Sequence, residues 1–228
     1  MFFPIGDDQV KGGHFPLISY GFIALNVLIY LLESSMSEPQ LNAFIYEYGS
    51  IPAETVRGQD LFTLFTSMFL HGGWMHLIGN MLFLWVFADN IEATIGSGRF
   101  LVFYFLGGLA AHAAHVFFNP GSMIPTVGAS GAISAVMGAY LVMFPTSRVK
   151  VLFFFFTFRV AAFLFLGLWI FQQGQNGLAS LSIPTAETAG VAWWAHIGGF
   201  VFGIVAGWHY RRKFPKPGLA VFGPDEYV

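Results

Sequence analysis

The sequence predicts an all-α membrane protein, a bundle of six transmembrane helices with both termini on the cytoplasmic side. Three observations carry this expectation. Hydrophobic residues make up 56% of the 228 and charged residues only 10%, with a mean hydropathy of +0.66. Soluble domains carry roughly 25% charged residues, so this chain lacks the charge to cover a water-facing surface. Six apolar segments each approach the roughly 20 residues that a helix needs to cross a bilayer. The basic residues, finally, fall almost entirely on one side of the resulting layout.

Taken in order, Met1 to Phe15 places Asp7, Asp8 and Lys11 ahead of the first apolar run. That is not the basic start and short apolar core of a cleavable signal peptide. The spans are expected at about Leu17–Leu32, Met75–Ile95, Phe100–Phe118, Gly128–Phe144, Val151–Phe171 and Gly190–Tyr210. The fourth is short and is expected to begin below the membrane surface. The long first connection, 33–74, mixes Glu38, Glu47, Glu54 and Asp60 with Phe44, Ile45, Tyr46, Leu61 and Phe62. Such a mixture fits short amphipathic helices lying in the interface. The whole of 1–228 reads as one domain, with 211–228 as a basic cytoplasmic tail.

Orientation follows from charge. With the N-terminus inside, the inner side receives Lys11, Arg99, Arg148, Lys150, Arg211, Arg212, Lys213 and Lys216. The outer side receives only Arg57, and Arg159 falls within the fifth span. Eight against one satisfies the positive-inside bias.

Several function classes drop out. Cysteine is absent, which excludes disulfides and thiolate metal sites. A net charge of −2 carries no nucleic-acid footprint. His71, His76, His112 and His115 come without an HExxH pattern or a neighbouring carboxylate, so no metal and no cofactor are expected.

What remains is a set of polar residues in apolar surroundings, where they are costly and tend to mark function. In the predicted topology the second, fourth and sixth spans all start from the outer face. His76 and Asn80, Ser130, and His196 therefore share one depth. Ser130, Ser134 and Gly138 recur every four residues on the fourth span, with Gly131 beside them. His196, Gly199, Gly203 and Gly207 form a stripe on the sixth. Small residues so spaced let membrane helices approach closely, and packing the two stripes brings Ser130 towards His196. A serine beside a histidine is the minimum for an activated nucleophile.

His76 and Asn80, at i and i+4, project from one face. Both can donate hydrogen bonds, as an oxyanion stabiliser must; as an isolated pair they equally satisfy each other or a neighbouring helix. His71, next to Gly72 and Gly73, is expected to order a loop or a water. Asp89 and Glu92 lie at the cytoplasmic end, and Glu187 lies in the loop before the sixth span. No acid is therefore expected at His196, which leaves a serine–histidine dyad with the ring held by packing and other hydrogen bonds.

The motifs His71-Gly-Gly-Trp-Met-His76-Leu-Ile-Gly-Asn80, Gly128-Ala129-Ser130-Gly131 and Ala195-His196-Ile197-Gly198-Gly199 resemble the HxxxxHxxxN, GxSG and AHxxG signatures of the rhomboid intramembrane serine proteases. The resemblance implies a rhomboid-like six-helix bundle, with Ser130 as nucleophile and His196 as general base and then acid. It further implies an oxyanion hole made by His76, Asn80 and the Ser130 backbone N–H. Gly128, Gly131, Gly199 and Gly203 would support the site. The implied substrates are transmembrane segments of other membrane proteins, cut near the outer face. They would reach the site laterally past the fifth span and the loop Gln172–Ala189. The chain's small size and lack of a targeting segment lead to the expectation of a plasma (inner) membrane of a prokaryote. Two departures stand out: Phe62-Thr63 replaces a Trp-Arg pair that some members carry, and Ser134 replaces a tyrosine that packs on the histidine. The alternatives are a catalytically inactive, membrane-protein-binding relative and a transporter. Neither calls for an intact serine and histidine.

Overall fold

Small residues decide where the main helices meet, and a polar network decides how one end of the structure is tied together. The structure is a computed structural model that describes residues 2–10, 13–182, 192–214 and 219–220. In chain order it contains strands β1 (Phe2–Gly6) and β2 (Gln9–Val10) and helices α1 (Leu17–Ser34), α2 (Glu38–Tyr48), α3 (Pro52–Val56) and α4 (Thr63–Thr66). A 3-10 turn (Ser67–Phe69) leads to α5 (Trp74–Ile95), α6 (Ser97–Phe118) and α7 (Ser130–Met143). Strands β3 (Arg148–Phe153) and β4 (Phe156–Ala161), helices α8 (Ala162–Ser182) and α9 (Trp193–Lys213), and strand β5 (Leu219–Ala220) complete it.

The fold is mostly helical. Among the described residues two helices, α1 and α6, are long and apolar enough by length and composition to cross a membrane, and α7 is a shorter apolar helix. The first connection contains helices, as its mixed composition led us to expect. The first of them, α2, opens on Ser37, whose N–H donates to the Gln40 side chain at 3.0 Å.

The expectation of an all-α chain is corrected by residues 148–161. They form an antiparallel hairpin, β3 with β4, and β1 pairs on the other edge of β3. A second small ladder joins β2 to β5. The expected fifth span, Val151–Phe171, therefore begins in a strand, and the helix starts only at Ala162. The stretch Val151-Leu-Phe-Phe-Phe-Phe-Thr-Phe-Arg-Val160 is rich in β-branched and aromatic residues, which favour a pleated surface. An apolar run of this kind is ambiguous by hydropathy alone. The turn at Phe154 (φ 53°) folds it back on itself. Val149 and Val151 are buried, in strand alternation with exposed Arg148 and half-buried Lys150. Arg159, expected inside a span, instead lies on β4 with its guanidinium 3.6 Å from Asp8.

Around this sheet the ends of the helices are joined by buried polar groups. Glu92 on α5 accepts from the N–H groups of Ile18 and Ser19 at 2.9 and 2.7 Å and from the Ser19 hydroxyl at 2.6 Å. A carboxylate there satisfies the free N–H groups of the first turn of α1 and complements its dipole. Asn90 donates to Asp7 (2.7 Å) and accepts from the Val10 N–H (2.8 Å), and Tyr140 on α7 also donates to Asp7. Residues 2–10 are thereby fixed to α5 and α7.

Centrally, α7 and α9 pack backbone to backbone. A Cβ added at Gly203 would lie 2.0 Å from the Ala135 carbonyl oxygen, and one at Gly199 would lie 2.2 Å from that of Gly131. At Gly138 it would lie 2.1 Å from the Phe200 carbonyl oxygen. These obstacles are backbone, which cannot rotate aside as a side chain can. Gly203→Ala is therefore expected to cost on the order of 1–3 kcal/mol, the range for overpacked cores. The measurement is the melting temperature in detergent. Gly21→Ala on α1, where nothing lies within 4 Å, should leave it unchanged or slightly raised.

Candidate active site

The α7–α9 contact sets the central geometry. Ser130 is the first residue of α7, and His196 lies in the first turn of α9. His196 Nε2 and Ser130 Oγ are 2.8 Å apart, a normal hydrogen-bond length. Ser134, one turn further along, donates to the Ser130 carbonyl at 2.6 Å.

The approach to Ser130 is extended and tied down. Ser50 and Thr126 exchange backbone hydrogen bonds of 3.1 and 2.8 Å, and the Gly128 N–H donates to the Ser67 carbonyl at 2.9 Å. The first connection thus holds the segment that leads into the serine. Gly128 has φ +126°, and a Cβ there would sit 2.8 Å from His76 Nε2. Glycine is required on both counts.

His76 and Asn80 on α5 face the same place. The Gly72 N–H donates to His76 Nδ1 at 3.3 Å, which leaves the ring proton on Nε2, the nitrogen turned to Gly128. Asn80 is buried, and its Nδ2 has no hydrogen-bond partner among the described residues. That nitrogen lies 3.7 Å from the position a Gly128 Cβ would take. Ser130, His196, His76 and Asn80 all line one cavity of about 570 Å³, together with Met68 and Trp169.

His71 does not line that cavity. It is buried in the loop before α5, its N–H donates to the Glu33 carboxylate at 3.2 Å, and its ring centre lies 5.1 Å from that of His76. Burial, and secondarily His76, push its pKa down to about 4, so the ring is neutral at pH 7. The remaining glycines, Gly131 and Gly199, lie on the α7 and α9 faces, where Gly131 also approaches Ala111 of α6. His112 also lines the cavity, with both ring nitrogens engaged: Nε2 is 3.1 Å from Ser67 Oγ and Nδ1 3.0 Å from the Gly108 carbonyl.

Sequence reasoning missed Gln173. This α8 residue is 5% exposed, and its Oε1 lies 2.8 Å from His196 Nδ1. The misplaced fifth span concealed it. Ending that span at Phe171 put Gln172 and Gln173 in a loop, whereas α8 runs on to Ser182. A buried-side polar residue four positions after Trp169, in an otherwise apolar helix, was the available signal. Glu187 and the end of the loop Gln172–Ala189 lie outside the described residues.

Comparison with known proteins places this geometry in a family. The Rhomboid domain model matches residues 58–213, well over half of the chain. The chain belongs to the Rhomboid family, whose members are embedded in membranes. It is 32% identical to the Rhomboid protease GluP of Bacillus subtilis over 133 residues, which cover 58% of this chain and 26% of that protein. It is 30% identical over 193 residues to the human Presenilin-associated rhomboid-like protein, mitochondrial, covering 81% of this chain and 46% of the relative. Rhomboid protein 1, mitochondrial, of Saccharomyces cerevisiae is 25% identical over 206 residues, 86% of this chain and 54% of its own. The chain thus spans about a quarter to about half the length of these relatives. Two of the three carry mitochondrial names, which sits against the expectation of a prokaryotic source.

At Gly128 both the backbone angle and the contact with His76 oppose a side chain. Gly128→Ala is expected to cost on the order of 1–3 kcal/mol, seen as a lowered melting temperature. Gly121→Ala, with nothing within 4 Å, provides the control.

Proposed function

We propose that this chain is an intramembrane serine endopeptidase that cuts transmembrane segments of other membrane proteins near the outer face. The observation that carries the reading is the 2.8 Å contact between Ser130 Oγ and His196 Nε2, made at the wall of a cavity lined by potential donors. Ser130 Oγ attacks the scissile carbonyl carbon while its proton passes to His196 Nε2. The same nitrogen then returns that proton to the leaving amine as the carbon–nitrogen bond breaks. Water releases the acyl group by the same two steps.

Charge that develops on the carbonyl oxygen needs donors placed in advance. His76 Nε2–H and Asn80 Nδ2, which has no partner among the described residues, provide two, and the Ser130 N–H at the start of α7 a third. A helix N-terminus also favours negative charge. Water must reach the acyl-enzyme, which fits a site at the ends of α5, α7 and α9 rather than at mid-depth.

The layout that goes with this reading is one six-span domain comprising α1, α5, α6, α7, α8 and α9, with both termini inside. Arg99, Arg148, Arg159 and Arg211 to Lys213 then share the inner end, and moving Arg159 onto β4 removes the only Lys or Arg that had been placed within a span. We place the protein in an inner (plasma-type) membrane, with lipid around it, transmembrane proteins as substrates, and no metal or cofactor in the reaction.

Reaction with a fluorophosphonate, which modifies activated serines, tests the reading. The purified protein should be labelled and should cleave a transmembrane substrate in liposomes, with and without EDTA. Ser130→Ala and His196→Ala should reduce cleavage to background while keeping the wild-type melting temperature. Full activity in a folded Ser130→Ala protein would refute the proposal.

Asn80→Ala should lower kcat by roughly 10²–10³, as loss of one oxyanion donor does elsewhere, and leave measurable residual turnover. His76→Ala should behave in the same way. Unchanged kcat in both variants would make these residues structural.

A further inference from the structure

We propose that Gln173 is the positioning residue for His196, holding the imidazole in the one tautomer that can accept the serine proton. The inference rests on the Ser130–His196 reading and deepens it. Gln173 Oε1 lies 2.8 Å from His196 Nδ1, on the opposite side of the ring from Ser130. Its Nε2 lies 3.4 Å from the carbonyl oxygen of Trp169, one helical turn earlier.

The second contact fixes the orientation of the amide. A backbone carbonyl only accepts, so the NH₂ group must face it, and the carbonyl oxygen of Gln173 must then face the imidazole. That oxygen also only accepts, so His196 Nδ1 must carry the ring proton and donate it. The lone pair is left on Nε2, directed at Ser130 Oγ. One neutral amide thereby selects the tautomer that general-base catalysis requires, the task an aspartate performs in soluble serine proteases.

Aromatic rings constrain the imidazole as well. The Trp169 ring centre is 5.8 Å from that of His196 at 39°, and the Trp193 ring is 6.2 Å away and perpendicular. Trp169 therefore both borders the histidine and anchors the amide that orients it. During attack the Ser130 proton moves to Nε2, the Nδ1 proton stays shared with Gln173 Oε1, and Gln173 itself neither gains nor loses a proton.

Three variants of the full chain test this, each assayed for kcat and KM on a transmembrane substrate and for the rate of Ser130 labelling by a fluorophosphonate. Gln173→Leu and Gln173→Met remove the acceptor while keeping an apolar side chain of similar size. Gln173→Glu, neutral when buried, keeps a carbonyl acceptor for Nδ1–H and an O–H that can donate to the Trp169 carbonyl. In the first two, kcat and labelling rate should fall at least roughly 10- to 100-fold, the loss seen when a metal-bound histidine loses its orienting partner, with KM little changed because the ring acts in the transition state. Gln173→Glu should restore most of the loss. Full kcat in Gln173→Leu, or an equal loss in all three variants, would overturn the inference. Failure of the underlying dyad would look different: Ser130→Ala would then be as active as wild type, whatever the Gln173 variants do.

Discussion

The distance between the α7 and α9 backbones is the constraint on which the rest of the structure depends. The α9 glycines rest against α7 backbone where any Cβ would collide, at Gly199 against the Gly131 carbonyl and at Gly203 against the Ala135 carbonyl. Gly138 on α7 does the same against Phe200. Between helices in lipid there is little hydrophobic gain, so association relies on close van der Waals contact and on hydrogen bonds. Glycine allows that contact, and the contact fixes how far Ser130 lies from His196. A separation greater by one methyl group would move the pair out of hydrogen-bonding range. The arrangement is therefore a by-product of helix packing: the same stripe that joins the helices carries Ser130 and His196 at its end.

A second anchor lies at the other end of α5. Glu92 is wholly buried yet receives two backbone N–H groups from α1 and the hydroxyls of Ser19 and Ser97, the last at 2.5 Å. Buried carboxylates are tolerable only when so satisfied. Asp7, Asp8, Asn90, Tyr140 and Arg159 extend this network across the sheet to α7. The polar groups thus fall into two sets with different tasks. At one end most of them pair with each other and fix the frame, with Asp8 Oδ1, which has no hydrogen-bond partner among the described residues, held by its 3.6 Å ion pair to Arg159. Around the cavity one donor is left over: Asn80 Nδ2 has no hydrogen-bond partner among the described residues. Unsatisfied buried polar groups cost about 1–3 kcal/mol each; the Tyr104 hydroxyl and Asn26 Oδ1 are in the same state, but of these three only Asn80 lines the cavity.

The contrast also explains what could be read from the sequence. The Ser130 and His196 stripes were legible because helical periodicity turns small-residue spacing directly into a packing face. The pairing of His76 with Asn80 was legible for the same reason, and the helices of the first connection followed from its mixed composition. The hairpin was not legible. A stretch as apolar as Val151–Val160 satisfies a span as well as a strand, and what decides between them is pairing with β1, about 150 residues away in the chain, which no local window contains. That one error moved the fifth span by about three helical turns, placed Arg159 in a span, and hid Gln173 in a loop. Local periodicity is a sound guide to which face a residue occupies only when the start of the helix is right.

The proposed role of Gln173 accounts for why a dyad would suffice here. In a soluble serine protease the third residue is a buried aspartate whose charge is held by hydrogen bonds from its polar surroundings and by the imidazolium that forms. Deep among apolar helices a carboxylate beside an imidazole would have to be desolvated, and the penalty for burying an ion can exceed what its partner returns. A buried acid in such a place tends to take up a proton and lose the charge that made it useful. An amide oxygen avoids the difficulty. It accepts the Nδ1–H with the same geometry, carries no charge to desolvate, and has its own NH₂ satisfied by the Trp169 carbonyl. The sacrifice is weaker stabilisation of the imidazolium that forms during attack, because a dipole replaces a full charge. The oxyanion donors act on the opposite charge of the same transition state. On this reading His76 and Asn80 carry a larger share of the barrier reduction than their counterparts would in an enzyme with a complete triad.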